Sequence, residues 1–263
     1  MATAAPTNSL PRFYNGLEPL NATQHGNMKL KRVDQNPAMG ATHAVPATVD
    51  EFTLLQRHYP IVFSVGDNPL PLALMGLSEG INTYLDELGR PREPDMYVPA
   101  YMRRYPFLLA RLRQDSDDLS LCFDPSSGVV GEFPDGEALF EGTEPSETTK
   151  AILTFCEQFE AAGQRTTAFM QDLIKSGLLM DGEVAIQPEG AEQPFIYRGF
   201  QMVDEEKLRE LRGDELRKIN QNGMLPLIFA HLFSLSQLRD LCGRQVRQGK
   251  GPVAQIKKAT AEA

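Results

Sequence analysis

The chain has 263 residues, a formal net charge of −9, 41% hydrophobic residues and 23% charged residues. That length buries a real core in one large or two small domains. The composition is that of a globular protein, and the acidic balance excludes general nucleic-acid binding.

Residues 1–12 read as a flexible leader. They carry no basic n-region and no apolar h-region, so no secretory signal is expected and the expected location is cytoplasmic. Residues 28–33 (MKLKRV) alternate apolar and basic, as a half-buried strand does. Thr48 and Glu51 have the spacing of a capping box, which predicts a helix over 49–58 that stops before Pro60. Short apolar runs at 61–65, 70–77 and 82–85 follow, separated by turn clusters such as Gly66-Asp67-Asn68-Pro69. They read as a three-stranded meander. Pro99 suits the first turn of a short helix over 100–105. Residues 119–123 read as a strand, and the glycine-, proline- and acid-rich 131–145 as a loop.

The strongest helix is predicted from about Ser146 to just before Gly177. Ile152, Phe155, Phe159, Ala162, Thr166, Phe169 and Leu173 recur at alternating steps of three and four. That is a narrow apolar seam for a sheet, another helix or a second subunit. Residues 195–203 read as a strand, and Asp204 as the cap of a helix bearing Leu208 and Leu211. A short helix is predicted over 214–220. An apolar helix over 224–242 has Pro226 in its first turn. The apolar run at 224–238 is too short to span a bilayer, which needs about twenty residues. The fold class expected is α+β: a mixed, mainly antiparallel sheet region over 13–145 and a largely helical part over 146–243. A basic disordered tail is expected over 244–263. From Arg239 onward six bases face two acids, which is +4 against −13 for the remainder.

Chemical motifs are sparse. Cys122, Cys156 and Cys242 lie far apart and form no Cys-x-x-Cys, and they read as buried reduced thiols. His25, His43, His58 and His231 have no partner at metal-ligand spacing. There is no HExxH, no Gly-x-Ser-x-Gly and no phosphate-binding glycine loop. The acids Glu132, Asp135, Glu137, Glu141 and Glu144 do not follow the order of an EF-hand, so no metal and no cofactor is expected. The segment 97–110, YVPAYMRRYPFLLA, stands out. It packs three tyrosines, two prolines and two adjacent arginines into fourteen residues, and Tyr59-Pro60 echoes its Tyr105-Pro106. Tyrosine supplies broad contact area and arginine a planar fork for carboxylate or phosphate. The binding candidates are Tyr97, Tyr101, Arg103, Arg104, Tyr105 and His231. The competing reading is a packing corner in which the arginines pair with the chain's own acids. In an enzyme reading, Tyr97, Tyr101, Arg103, Arg104 and His231 would be the candidate groups, with a tyrosine as general acid.

The strings 59–63 (YPIVF), 71–77 (PLALMGL), 97–107 (YVPAYMRRYPF) and 223–235 (GMLPLIFAHLFSL) resemble the SapC family of bacterial proteins. The likeness spans about 13–241, departing in a lengthened 85–94 loop and the basic tail. It implies a link to secretion of surface-layer protein. It also implies neighbourhood with TonB-dependent receptors and flavin halogenase-like or cupin-like proteins. The expectation is therefore an accessory protein with protein partners in a secretion or TonB-dependent uptake system. No nucleic acid and no transmembrane segment is expected. A homo-oligomer and peripheral membrane association are open alternatives.

Overall fold

Frequent prolines and glycines cut most of the chain into short elements; among the described residues, only three elements before the final helices reach eight residues. The computed structural model describes residues 10–31, 36–112, 118–187 and 194–251. In chain order the elements begin with β1 (Glu18–Pro19), α1 (Ala22–His25), β2 (Lys29–Leu30), α2 (Pro37–Gly40) and β3 (Ala44–Pro46). Then come α3 (Phe52–Leu55), β4 (Ile61–Phe63), β5 (Pro71–Leu74), α4 (Ala100–Arg103), β6 (Phe107–Arg111) and β7 (Leu119–Phe123). Four two-residue strands follow: β8 (Val130–Gly131), β9 (Glu137–Ala138), β10 (Phe140–Glu141) and β11 (Glu144–Pro145). The long helix α5 (Glu147–Lys175) precedes the hairpin of β12 (Leu179–Ile186) and β13 (Phe195–Val203). The chain continues through α6 (Glu205–Arg209), α7 (Gly213–Gln221), α8 (Met224–Ser234) and α9 (Gln237–Arg247). The fold is α+β, and every strand pairing is antiparallel.

The chain forms two compact units, each from two stretches: Met1–Asp34 with Arg104–Glu160, and Gln35–Arg103 with Ala161–Ala263. This interleaving differs from the single cut expected at 145/146. α5 supplies its first half to one unit and its second half to the other.

The first unit holds the sheets β1-β7-β6 and β8-β2-β9 and the β10–β11 hairpin. Phe107, Phe123, Val130, Leu139, Phe140 and Cys156 form its core, with Ile152 of the α5 seam packed against them. Asp124 is fully buried, and its carboxylate accepts from the Asn15 and Ser126 amides at 2.8 and 2.9 Å. These bonds hold its pKa low against the opposing pull of burial. The segment 131–145 was expected to be a plain loop, and it contains three short strands. Of the strand expected at 28–33, Lys29–Leu30 pairs, and the last two residues lie outside the described ones.

The second unit is built on the sheet β12-β13-β4-β5-β3. β4 is buried along its whole length, as a central strand of apolar residues must be. Phe169 of α5 meets Phe52 edge-on at 5.9 Å and lies 6.4 Å from Phe63. Thr166, the polar member of the seam, accepts from the Val49 amide at 3.0 Å and donates to the Ala162 carbonyl. The seam is therefore used inside the chain.

Several boundaries differ from expectation for local reasons. The helix expected at 49–58 begins as a 3-10 turn, and its α-helical part ends at Leu55. No strand forms at 82–85. The Asn82 side-chain oxygen accepts from the Tyr84 and Leu85 amides, both at 2.9 Å, and turns the chain there. The single helix expected at 224–242 is two, broken at Leu235 and Ser236, where i→i−3 bonds replace the α ladder. The expected tail does not begin at 244. α9 runs on to Arg247, and Gln245, fully buried, bonds the Leu77 amide at 3.0 Å and the Lys250 carbonyl at 2.8 Å.

Candidate functional site

The capping-box pair builds the site in the second unit. Glu51 is only 5% exposed, and its Oε2 accepts from the Thr48 hydroxyl at 3.0 Å and more weakly from the Thr48 amide. Its Oε1 reaches the start of α4, where the Ala100 amide donates at 2.6 Å. The Tyr97 hydroxyl donates to the same oxygen at 2.8 Å. One buried carboxylate thus ties residues 48, 97 and 100 together and supplies negative charge where α4 presents free N–H groups.

Arg103 closes the other side. Its Nη2 donates to the Tyr97 hydroxyl at 3.1 Å, its Nε donates to the Val98 carbonyl at 3.0 Å, and its guanidinium lies 5.4 Å from the Tyr97 ring centre. The side chain is nonetheless exposed. The result is a solvent-facing guanidinium in a fixed orientation over an aromatic ring. Burial, and then the nearby Glu51 charge, push the Tyr97 hydroxyl up to about 12. It stays a phenol with its proton turned inward to Glu51.

A second aromatic group adjoins. The Tyr59 hydroxyl donates to the Tyr97 carbonyl at 2.6 Å, and its ring lies 4.6 Å from that of Tyr84. The Tyr84 hydroxyl donates to the His58 carbonyl at 2.5 Å. Arg244 of α9 lies over Tyr84 at 4.8 Å and bonds Glu93 at 2.5 and 3.4 Å. Arg244 holds the Glu93 carboxyl below its usual range, and burial raises both Tyr59 and Tyr84. All three phenols are therefore neutral at physiological pH, each with its hydrogen given to an internal acceptor.

The six candidates separate. Tyr97 and Arg103 come together at the surface. Tyr101 is buried, 6% exposed, on α4. Arg104 and Tyr105 belong to the first unit. The Arg104 side chain is 9% exposed, with its guanidinium 4.3 Å from the Phe159 ring and Nη1 3.4 Å from Glu160. It follows the packing-corner reading. Tyr105 is half-buried, edge-on to Tyr14 at 5.1 Å, with its hydroxyl 3.5 Å from Asp124. Burial, with the Asp124 charge next, pushes it up to about 12.

His231 lies apart from the surface, in contact with two strands. It is fully buried, its Nδ1 lies 2.7 Å from the Ile61 carbonyl, and its Nε2 accepts from the Val203 amide at 3.1 Å. These contacts require the Nδ1–H tautomer. β13 pairs with β4 only at Gln201 and Phe63. Two residues along, the imidazole stands between Val203 and Ile61 and completes the ladder in place of a direct backbone bond. Ser234, one turn on, accepts from the Ile61 amide at 2.8 Å, so both polar groups of Ile61 are bonded to α8.

Among the described residues, no group of three or more His, Cys, Asp or Glu side chains is placed to hold a metal. Cys122, Cys156 and Cys242 are free and buried, and burial raises the pKa of each thiol. A cleft of about 170 Å³ lies elsewhere in the second unit, lined by Asp172, Lys175, Leu211, Glu215, Lys218 and Asn222 among others. Its charged groups are exposed and of both signs, and the Asn222 side-chain amide donates to Asp172 there at 3.4 Å.

The SapC family model matches residues 20–241. The chain belongs to the SapC family. No curated protein and no solved structure gives a significant match. The strings that resemble SapC proteins are the ones that meet in the second unit. Residues 59–63 contain β4 and 71–77 hold β5 beside it, while 97–103 receive Tyr59 and 223–235 bond to Ile61. Sequence reasoning missed Glu51 as the organiser of the Tyr97 surface. The signal was the capping box itself, whose acid has a second carboxylate oxygen to share.

Proposed function

We propose that this SapC-family chain is a non-catalytic accessory protein that binds a protein partner of surface-layer export or outer-membrane uptake machinery. The contact is the Tyr97–Arg103 surface, where Arg103 grips a carboxylate of the partner. The observation that carries the reading is the exposed Arg103 guanidinium, oriented by the Val98 carbonyl and the Tyr97 hydroxyl. A pre-oriented arginine beside an aromatic ring has the character of an interface hot spot, because little side-chain freedom is lost on contact. Binding is favoured over acid–base catalysis because Tyr97, Tyr59 and Tyr84 all direct their protons inward. A general acid must offer its proton to the substrate.

The test is affinity capture from the source bacterium with the full chain as bait, followed by mass spectrometry. Wild type is expected to recover envelope secretion or uptake proteins. Arg103→Ala should reduce their recovery about tenfold, the effect of losing one hot-spot arginine. Arg103→Lys should also reduce it, since an ammonium cannot reproduce the fork. Equal recovery by wild type and Arg103→Ala refutes the assignment.

A further inference from the structure

We propose that the outer face of α8 is a docking surface for an anionic lipid membrane. The inference goes beyond the partner-binding reading and does not use Arg103.

α8 reads Met-Leu-Pro-Leu-Ile-Phe-Ala-His-Leu-Phe-Ser, and its two polar side chains, His231 and Ser234, are both fully buried. Both are spent on β4, where they bond Ile61. The opposite face is left wholly apolar. Phe233 is 65% exposed and Phe229 39%, and their rings stack at 5.7 Å with 27° between planes. Pro226 is exposed on the same side, with Leu225 and Leu232 half-buried at its edge. A surface helix ordinarily turns polar residues to water and apolar ones inward. α8 does the reverse with its polar groups, and paired aromatics facing solvent mark a contact surface.

Charge selects the occupant. From Arg212 to Lys250, the stretch that holds α7, α8 and α9, there are seven basic residues against three acidic ones. The stretch is therefore +4, and the remainder of the chain is −13. Arg217 and Lys218 on α7, which packs against α8, and Arg239 on α9 are exposed, as are the acids Asp214, Glu215 and Asp240; with the Arg212–Asp214 and Arg244–Glu93 pairs set aside, five bases of the stretch remain against two acids. A second copy docking on this face by twofold symmetry would bring two +4 stretches together, which disfavours self-association. An apolar stripe with aromatic tips, bracketed by arginine and lysine, matches a lipid surface. The phenylalanines enter the boundary between headgroups and acyl chains while the bases meet anionic headgroups. No described helix is long and apolar enough to cross a membrane, so the contact is peripheral.

The experiment is co-sedimentation of the full chain with phosphatidylcholine vesicles and with equimolar phosphatidylcholine/phosphatidylglycerol vesicles. Wild type is expected to sediment with the anionic vesicles only, less so as salt is raised. Phe229→Ala/Phe233→Ala is expected to lower the partition coefficient at least about tenfold, from the apolar area lost. Arg217→Gln/Arg239→Gln should lower anionic-vesicle binding several-fold and weaken its salt dependence. Arg103→Ala should bind vesicles like wild type, which separates this surface from the partner site. Circular dichroism and a urea midpoint matched to wild type certify each variant, since all five substituted side chains are exposed. The proposal is overturned if wild type ignores both vesicle types or binds them equally. It is also overturned if the phenylalanine variant sediments like wild type. So too if sedimentation velocity shows a dimer that the phenylalanine variant dissolves, because a second copy would then cover the face.

Discussion

Replacing His231 with phenylalanine should destabilise the second unit far more than its burial alone suggests. The ring volume is kept, so no cavity is made, and the cost falls on two backbone groups. The Ile61 carbonyl loses its donor at 2.7 Å and the Val203 amide loses its acceptor at 3.1 Å, both in a fully buried setting. An unsatisfied buried group costs about 1–3 kcal/mol, so the pair amounts to roughly 2–6 kcal/mol. His231→Gln, whose amide can donate or accept at the ring's position, should recover part of this. The pH dependence is a second signature. Burial pulls the folded-state pKa of His231 to about 4, from 6.5 when solvated. The unfolded chain then binds the extra proton between those values, so this contribution is complete above pH 6.5 and is lost as pH falls towards 4. Over that span it amounts to about 3 kcal/mol. Urea unfolding followed by circular dichroism at pH 7, 6 and 5 measures both effects. The difference between wild type and His231→Phe removes the background of carboxylates such as Asp124 and Asp204, which titrate in both. A loss under about 1 kcal/mol at pH 7, or parallel stability–pH curves for the two proteins, refutes the bridging role.

Three further outcomes follow from single contacts. Glu51→Gln should bring the Tyr97 hydroxyl down from about 12 towards its ordinary value by removing the adjacent charge, read as phenolate absorbance against a Tyr97→Phe blank. The same change should cost about 1–3 kcal/mol in urea unfolding, because the amide nitrogen cannot accept from both Tyr97 and Ala100 or from Thr48. Gly182→Ala should destabilise the β12–β13 hairpin by about 1–3 kcal/mol, since the added methyl falls 2.2 Å from a ring carbon of the buried Phe200. Gln245→Leu should release residues 248–251 to rapid hydrogen exchange, because that side chain holds both the Leu77 amide and the Lys250 carbonyl.

The legible parts of the fold were those where one local rule acts alone. β7, the bounds of α5, and the Asp204 cap of α6 follow from a short, mostly apolar run that ends at a turn cluster, seam periodicity and a carboxylate accepting from the Glu206 and Lys207 amides at 3.1 Å. The misses arise where a side chain competes with the backbone or where the partner is distant. Asn82 turned an apolar run away from strand geometry. β12 carries Asp181, Gly182 and Glu183 in its middle, and its register shifts there to admit Phe200. No local window of that sequence resembles a strand. It forms one because β13 lies beside it and Arg198 meets Glu183 across the ladder at 2.7 Å. The two-unit organisation was invisible for the same reason, since each unit joins stretches that a segment of the other separates, 35–103 in one case and 104–160 in the other.

The segment 97–110 shows why adjacent residues of one type need not share a role. Arg103 and Arg104 look equivalent as a dipeptide, yet the boundary between the two units falls between them. Arg104 is drawn under Phe159 and Tyr14, where cation–π contact and Glu160 offset the loss of hydration. Arg103 stays at the surface, held by groups that orient it without burying it. The two aromatic strings are also tied together physically. Tyr59 begins one string and Tyr97 the other, and the hydroxyl of the first donates to the carbonyl of the second at 2.6 Å. Pro60 follows Tyr59 and fixes where α3's exit becomes β4, which sets the position from which that bond is made. The aromatic strings therefore form one scaffold, and Arg103 is the residue that the scaffold leaves turned outward. If binding resides at this surface, substitutions in Tyr59 and Glu51 should weaken it only through misplacement of Arg103 and be partly rescued by a fold-stabilising osmolyte. Arg103→Ala should not be rescued at all. Rescue of Arg103→Ala to wild-type capture would refute a contact role for its guanidinium.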